Sequence, residues 1–227
     1  MKNINVTLYG HLTVDKILVD FREQISLGGI ANVWYGIRLL NQNMSVNICP
    51  TDIGEAIILV DKSTNQRFGR GCLNLDSRKV AAHNSNWHHI AYINQITHTG
   101  FIEQIQDGVV SADITKEAPE KVLPHLKYID YLFISEEDLF MDIKELAMQT
   151  KGWVICHSPM RSVWSDGTNV STYNIPEDLL LDDVNVLGAG DYFASGFINS
   201  TILGINMLDS IKNAHQDTTN ILREQLT

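Results

Sequence analysis

Short apolar runs alternate with helical patterns along most of this 227-residue chain, and this alternation restricts the possible folds more than any other feature. Ile4, Val6 and Leu8 alternate with polar residues, which predicts a strand that ends near Gly10. Further apolar runs lie at 56–60, 90–93, 109–112, 131–134 and 153–156. Their length is typical of buried strands.

Apolar residues recur at helical spacing in the segments between these runs. Residues about 30 to 41 are expected to form an amphipathic helix, and a second long helix is expected at 207–226. Shorter helical patterns surround Phe101 and Ile143. Strand–helix alternation of this kind predicts an α/β protein with a mostly parallel sheet that helices cover on both faces.

The composition favours a globular protein of the cytoplasm. Hydrophobic residues make up 44% of the chain, which is enough for a core without disulfides or a structural metal. The formal net charge of −10 disfavours nucleic acid or an anionic membrane as a partner. No apolar run approaches the ~20 residues of a membrane helix, and the start MKNINVTLYG does not resemble a signal peptide. Three widely spaced cysteines fit reduced thiols, so we expect a cytoplasmic location.

The segment Gly188-Ala189-Gly190-Asp191 is the first candidate for chemistry. Small residues before a helical pattern leave backbone N–H groups bare at a helix N-terminus, where the helix dipole favours an anion. The Asp191 carboxylate beside them could take the proton of a hydroxyl that attacks a phosphoryl group. The simpler interpretation is that Asp191 caps the helix. The segment lacks the last glycine of the dinucleotide-binding fingerprint, and no P-loop Lys-Ser/Thr follows it.

The segment Gly28-Gly29-Ile30-Ala31-Asn32, before the first predicted helix, is the second candidate. Two glycines let the backbone approach a ligand closely, and the Asn32 amide can both donate to a hydroxyl and accept from one. Asp15 follows Gly10 by five residues, and a carboxylate can accept hydrogen bonds from two hydroxyls. Taken alone, an ordinary helical Asn32 and a solvated Asp15 are the alternatives.

These segments resemble the motifs of the ribokinase-like (PfkB) carbohydrate kinase family. Residues 185–191 and the small pair Ser195-Gly196 resemble its C-terminal signature, with Asn185-Val186 in place of the usual Asp-Thr. Residues 28–33 resemble its N-terminal Gly-Gly element, and Gly10 with Asp15 resembles its Gly-x-x-x-x-Asp.

The resemblance implies a role for each matched residue. Asp191 is then the catalytic base, and the backbone of Gly188, Ala189 and Gly190 forms the anion hole, with Gly188 and Gly190 also contacting the nucleotide. The residues that hold the acceptor substrate are then Asp15, Gly28, Gly29 and Asn32.

The same resemblance implies an architecture and a set of ligands. The fold is then a three-layer α/β/α, doubly wound, mostly parallel sheet, in one domain over 1–227, with a small β lid at about 12–27 and 50–70. The lid covers the acceptor and excludes water. ATP is the expected donor, Mg²⁺ the expected metal ion, a sugar or nucleoside the expected acceptor, and a homodimer through the lid is expected.

Several positions depart from the family pattern. Ser158 and Arg161 replace two usual glycines and are the candidate side chains for nucleotide binding. Asp138 replaces a Glu that helps place magnesium, and it is the candidate metal residue, with the preceding glutamate as a rival. A strand–helix unit usual in the family is missing between Leu40 and Ala56. A sugar- or nucleotide-binding homologue with impaired catalysis therefore stays open as an alternative.

Other constellations give weaker signals. His83, His88 and His89 lie close in sequence, but neighbouring residues of a strand point to opposite faces, so we expect no metal site there. Trp34 and Phe193 lie on apolar helix faces and are expected in the core.

Overall fold

The structure is a computed structural model that describes residues 4–19, 22–61, 66–115, 118–181 and 187–225, with the backbone alone at 61 and over 66–73. Within these residues, ten strands form one sheet and four α-helices pack on it. None of the helices in these ranges is long and apolar enough to cross a membrane.

The central strands of the sheet are parallel. The strands are β1 (Asn5–Val19), β2 (Arg22–Gly29), β3 (Ser45–Asp61), β4 (Gln66–Ser77), β5 (Trp87–Ala91), β6 (Val109–Ile114), β7 (Tyr131–Ser135), β8 (Trp153–His157), β9 (Arg161–Ser165) and β10 (Val170–Asn174). Their order is β10-β9-β8-β7-β6-β5-β1-β3-β4, and β2 pairs with β1. The run from β3 through β1 to β8 is parallel, whereas β2, β4, β9 and β10 join antiparallel. The predicted mostly parallel sheet is confirmed.

Helices lie on both faces of this sheet. They are α1 (Ile30–Leu40), α2 (Ile143–Gln149), α3 (Ala189–Ile202) and α4 (Met207–Glu224). On one face, Val6 and Leu8 of β1 share a core with Phe197 of α3 and with residues of α1 and α4. On the other face, Tyr9 packs in a second core that includes Leu146 of α2. Neighbouring residues of β1 therefore pack against the helix layers on opposite faces of the sheet, as the alternation in its sequence predicts.

Two expectations about helices are wrong. The pattern around Phe101 forms only a 3₁₀ turn at Ile102–Gln104, because a few apolar residues can be buried by one turn and a longer helix needs more residues to nucleate. Trp34 is 38% exposed and so lies outside the core, whereas Phe193 is 2% exposed and belongs to it.

The first strand does not end near Gly10, as its sequence predicts. It continues to Val19, with a register shift against β3 between Gly10 and His11. β3 likewise runs unbroken over 17 residues. It contains no helix in the region where the strand–helix unit usual in the family was expected to be missing. The far halves of β1 and β3, together with β2 and β4, form the β extension predicted as a lid at 12–27 and 50–70. Residues 62–65, between β3 and β4, lie outside the described residues.

Candidate active site

Two cavities meet at the turn that leads into α3. Gly188 caps this helix with a φ of 79°, a left-handed conformation that glycine adopts without strain. Gly188 lines both cavities, and Ala189 and Gly190 line the larger one. The first N–H groups of a helix have no acceptor one turn earlier. The turn therefore presents bare amides and the positive end of the α3 dipole to a ligand.

Asp191 is buried in the first turn of α3 and lines the smaller cavity. Its Oδ2 accepts a hydrogen bond of 2.9 Å from Asn32 Nδ2, and its Oδ1 accepts one of 3.3 Å from the Tyr92 hydroxyl. The capping residue is Gly188, and no side chain caps α3. The carboxylate is thus oriented by two donors from other elements, and it does not act as the N-cap that the simpler interpretation predicted.

The smaller cavity has a volume of about 260 Å³ and lies under the β extension. Asp15, Gln24 and Ser26 reach it from β1 and β2, and Asn32 reaches it from α1. Asp15 is 6% exposed, and its Oδ1 accepts a hydrogen bond of 2.5 Å from Thr13 Oγ1. The structure thus places two buried carboxylates, those of Asp15 and Asp191, in one small polar cavity.

The two glycines before α1 are required by space as well as by backbone conformation. A Cβ on Gly28 would lie 2.0 Å from Asp15 Oδ2, so only glycine leaves room for that carboxylate. Gly29 has a φ of 62°, and a Cβ there would lie 2.1 Å from the His11 carbonyl oxygen. Gly29 lines the cavity itself, whereas Gly28 supports it by packing against Asp15.

The larger cavity has a volume of about 700 Å³, within the range of small-molecule sites. Its lining is mixed. The polar lining residues include Asp113, Glu137, Asp138 and Ser158, and the apolar lining residues include Ile175, Leu179, Leu181 and Leu222. Ser158 and Asp138 thus both line this cavity, and their contacts with a donor and a metal ion stay predictions.

Arg161 does not line the larger cavity. Its Nε and Nη2 both donate to Oε1 of Glu136, and half of its side chain is exposed. This pairing raises the pKa of Arg161 and lowers the pKa of Glu136, through the hydrogen bond and then the charge of the partner. Contact between Arg161 and a nucleotide stays a prediction.

Three ring-bearing residues at this site were not singled out as site residues from the sequence. Tyr92 follows β5 in a left-handed conformation with a φ of 59°, which turns the chain at the carboxyl end of the strand. His157 ends β8, and its ring stacks on Phe193 with centroids 4.7 Å apart. His215 contacts the same Phe193 at 4.9 Å. The available signal was the place of Tyr92 and His157 directly at strand ends, where ligands of α/β sheets bind.

The environment of both histidines favours their neutral forms. Burial lowers the pKa of His157, and the charges of Asp113 and Glu137 oppose that effect. Burial, followed by the charge of His157, lowers the pKa of His215 to about 3. His215 Nε2 also lies 2.8 Å from Ser162 Oγ, which fixes its ring.

Across the residues with described side chains, no group of three or more His, Cys, Asp and Glu is arranged to hold a metal ion. His88 Nε2 lies 3.0 Å from the Asp107 carbonyl oxygen, whereas His89 Nδ1 lies 2.9 Å from Ser111 Oγ. These two neighbours therefore have separate partners.

Searches with the sequence against protein-family models and curated proteins find no match. Solved structures do match. A pyrophosphate-dependent kinase in the ribokinase family, in a sulfate complex, aligns with a TM-score of 0.76 and 13% identity, over 96% of this chain and 95% of that chain. Adenosine kinase from Schistosoma mansoni, in complex with 2-fluoroadenosine, aligns with a TM-score of 0.73 and 13% identity, over 95% of this chain and 94% of that chain.

A nucleoside kinase from Methanocaldococcus jannaschii, an archaeal member of the ribokinase family, aligns with a TM-score of 0.69 and 17% identity, over 96% of this chain and 91% of that chain. All three alignments extend over the sheet, both helix layers and the β extension, since they leave out less than a tenth of this chain. The chain therefore has the three-layer α/β/α fold of the ribokinase family.

Proposed function

We propose that this protein is a kinase that transfers the terminal phosphoryl group of ATP to a hydroxyl of a sugar or nucleoside. The observation that supports this most strongly is the position of Asp191, which is buried, lines the smaller cavity and lies in the same turn as Gly188, a residue that lines both cavities. A carboxylate base next to an anion-binding turn is the arrangement that phosphoryl transfer between two substrates needs.

The smaller cavity would hold the acceptor. Asp15 can accept hydrogen bonds from two hydroxyls, and Asn32 can bind a third while it holds Asp191. The hydroxyl nearest Asp191 would give its proton to that carboxylate as its oxygen forms a bond to phosphorus. Because the strands that line this cavity belong to the β extension, the lid would also exclude water from the reaction.

The turn before α3 would stabilise the moving group. As the acceptor oxygen bonds to phosphorus, the bond from phosphorus to the bridging oxygen of ATP breaks, and ADP leaves with that oxygen. The amides of Gly188, Ala189 and Gly190 would donate to the equatorial oxygens, on which the negative charge is spread. Gly188 and Gly190 would thereby also contact the nucleotide.

Magnesium fits the acidic residues that line the larger cavity, because carboxylate oxygens are its preferred protein ligands. We infer that Asp138, with Glu137, would hold the ion through water. When bound, Mg²⁺ would neutralise charge on the donor phosphates.

ATP is favoured as the donor because the larger cavity has apolar lining residues as well as polar ones. Leu179, Leu181 and Leu222 are among them, and a nucleobase would bury its faces against such side chains. One structural neighbour is described as pyrophosphate-dependent, so pyrophosphate is the second donor to test.

The proposal is tested by donor consumption against a panel of sugars, polyols, nucleosides and sugar phosphates, with ATP and pyrophosphate in parallel and Mg²⁺ present. Acceptor-dependent formation of ADP, or of phosphate from pyrophosphate, supports a kinase. Saturable ligand binding with no phosphorylated product from any acceptor would support the alternative of a binding protein with impaired catalysis.

We also propose that the protein forms a homodimer through the lid. The outer face of β1 and β2 exposes large apolar side chains, with Ile25 67% and Leu27 59% exposed. Val14 pairs with Leu27 across the two strands, so these side chains form one continuous patch. Such a patch is typical of an interaction surface. The cytoplasmic location stays a prediction from composition.

A further inference from the structure

We propose that His157 is a ligand of the donor phosphates, acting as a neutral hydrogen-bond donor beside the α3 amides. This inference rests on the proposed function and adds a residue to it. It names a side chain that recognises a diphosphate unit, which ATP, ADP and pyrophosphate share.

The position of the His157 ring is the first argument. It lines the larger cavity at the carboxyl end of β8. A Cβ placed on Gly190 would lie 3.6 Å from His157 Cε1 and 3.9 Å from His157 Nε2. The Nε2 edge of the imidazole therefore lies beside the same turn of α3 whose amides are proposed to bind the phosphoryl group.

The ring is also held in place before any ligand binds. It stacks on Phe193 with an interplanar angle of 26°, and Phe193 is itself 2% exposed and packed against His215. A side chain fixed in this way loses little rotamer freedom when it binds a ligand. In the described part of the chain, neither nitrogen of His157 has a hydrogen bond to another residue, whereas His215 is engaged with Ser162. His157 can therefore offer its N–H to a ligand.

The charges around the larger cavity are the third argument. Its described lining residues include Asp113, Glu136, Glu137 and Asp138 but neither Lys nor Arg. The nearby Arg161 is already bound to Glu136. Binding of polyphosphate in this cavity consequently depends on neutral N–H and O–H donors and on Mg²⁺. Burial keeps the imidazole neutral, and its Nε2-protonated form supplies one such donor without drawing the acidic residues toward itself.

Binding of pyrophosphate and of Mg²⁺-ADP, measured by calorimetry, tests this role in the wild type and three variants. His157→Phe keeps a ring that can stack on Phe193 but removes the N–H, so we expect affinity for both ligands to fall roughly ten- to hundredfold. His157→Gln keeps an N–H and should recover most of that loss. His83→Phe, at an exposed histidine outside both cavities, should bind like the wild type.

A structural role for His157 would give a different result. If only the phosphate contact is lost in His157→Phe, binding of the acceptor should be unchanged. A structural defect would weaken binding of the acceptor as well as binding of pyrophosphate and Mg²⁺-ADP. A second measurement needs no folded variant: the ring nitrogen signals of His157 in the wild type should shift on addition of pyrophosphate.

Binding of pyrophosphate and Mg²⁺-ADP by His157→Phe with wild-type affinity would overturn this inference but not the proposed function. An unchanged His157 ring signal in wild type saturated with pyrophosphate would do the same. Failure of the wild type to bind either ligand would overturn it together with the proposed function.

Discussion

Asn32 donates a hydrogen bond of 2.9 Å from Nδ2 to Oδ2 of Asp191 and so links the first turn of α1 to the first turn of α3, across 159 positions of the chain. Both residues line the smaller cavity. The two sequence motifs that were found separately are therefore one physical unit, in which an amide from the first motif orients the carboxylate of the second.

Replacement of Asn32 by Ala removes this link. Because Asp191 keeps only its contact with the Tyr92 hydroxyl among the hydrogen bonds described above, we expect kcat/KM for the acceptor to fall roughly ten- to hundredfold. Asn43→Ala, at an exposed turn, is the matched control. Steady-state kinetics at saturating donor measure the effect, and equal values for the two variants would show that the link is unimportant.

Replacement of Gly28 by Ala should act on the acceptor without touching the base. The new Cβ would lie 2.0 Å from Asp15 Oδ2, so the carboxylate must move. We expect KM for the acceptor to rise roughly tenfold or more, with KM for the donor nearly unchanged. Gly100→Ala is the control, since nothing lies within 4 Å of a Cβ at that position. A change in donor KM alone would contradict the assignment of the smaller cavity to the acceptor.

Replacement of Ile25 and Leu27 by Ser should dissociate the proposed dimer into monomers. Both side chains lie on the outer face of the β extension, away from the smaller cavity, and burying them in a dimer would be favourable. Analytical ultracentrifugation should find a dimer for the wild type and a monomer for the double variant. A monomeric wild type over the whole concentration range would contradict the proposed interface.

The buried His215 should make stability depend on pH. In the unfolded chain its pKa is near the ordinary value of 6.5, whereas burial lowers it to about 3 in the folded protein. Between these two values only the unfolded state takes up the proton, so the free energy of unfolding falls as the pH falls from 6.5 towards 3. At pH 5 this loss is at most about 2 kcal/mol relative to pH 7.

Urea denaturation of the wild type and of His215→Gln at pH 7 and pH 5 isolates this contribution. The variant should lose less stability than the wild type between the two values. The same loss in both proteins would show that His215 is protonated in the folded state at pH 5.

The motifs could be found from the sequence because each depends on short-range chemistry. A left-handed cap such as Gly188 favours glycine, and the packing of Gly28 against Asp15 excludes any side chain, so both positions can be recognised in a single sequence. The central strands β5 to β8 are short, apolar and buried, and they were predicted within a few residues.

Features that depend on distant partners were not visible. The continuation of β1 past Gly10 is set by pairing with β2 and β3, which no local pattern records. The polar Asp15 would be exposed on an isolated strand, yet it is buried because the β extension covers a cavity there. The site role of Tyr92 depends on Asp191, which lies 99 residues away.

The identity of Asp191 as the base is the central claim, and acceptor-dependent phosphoryl transfer by Asp191→Asn tests it most directly. The amide keeps the size of the side chain but cannot take the proton, so we expect kcat to fall roughly 10²- to 10⁴-fold with the fold intact by circular dichroism. Asp209→Asn, at a half-exposed carboxylate in the first turn of α4, should retain wild-type kcat. Turnover by Asp191→Asn at close to the wild-type rate would contradict the account.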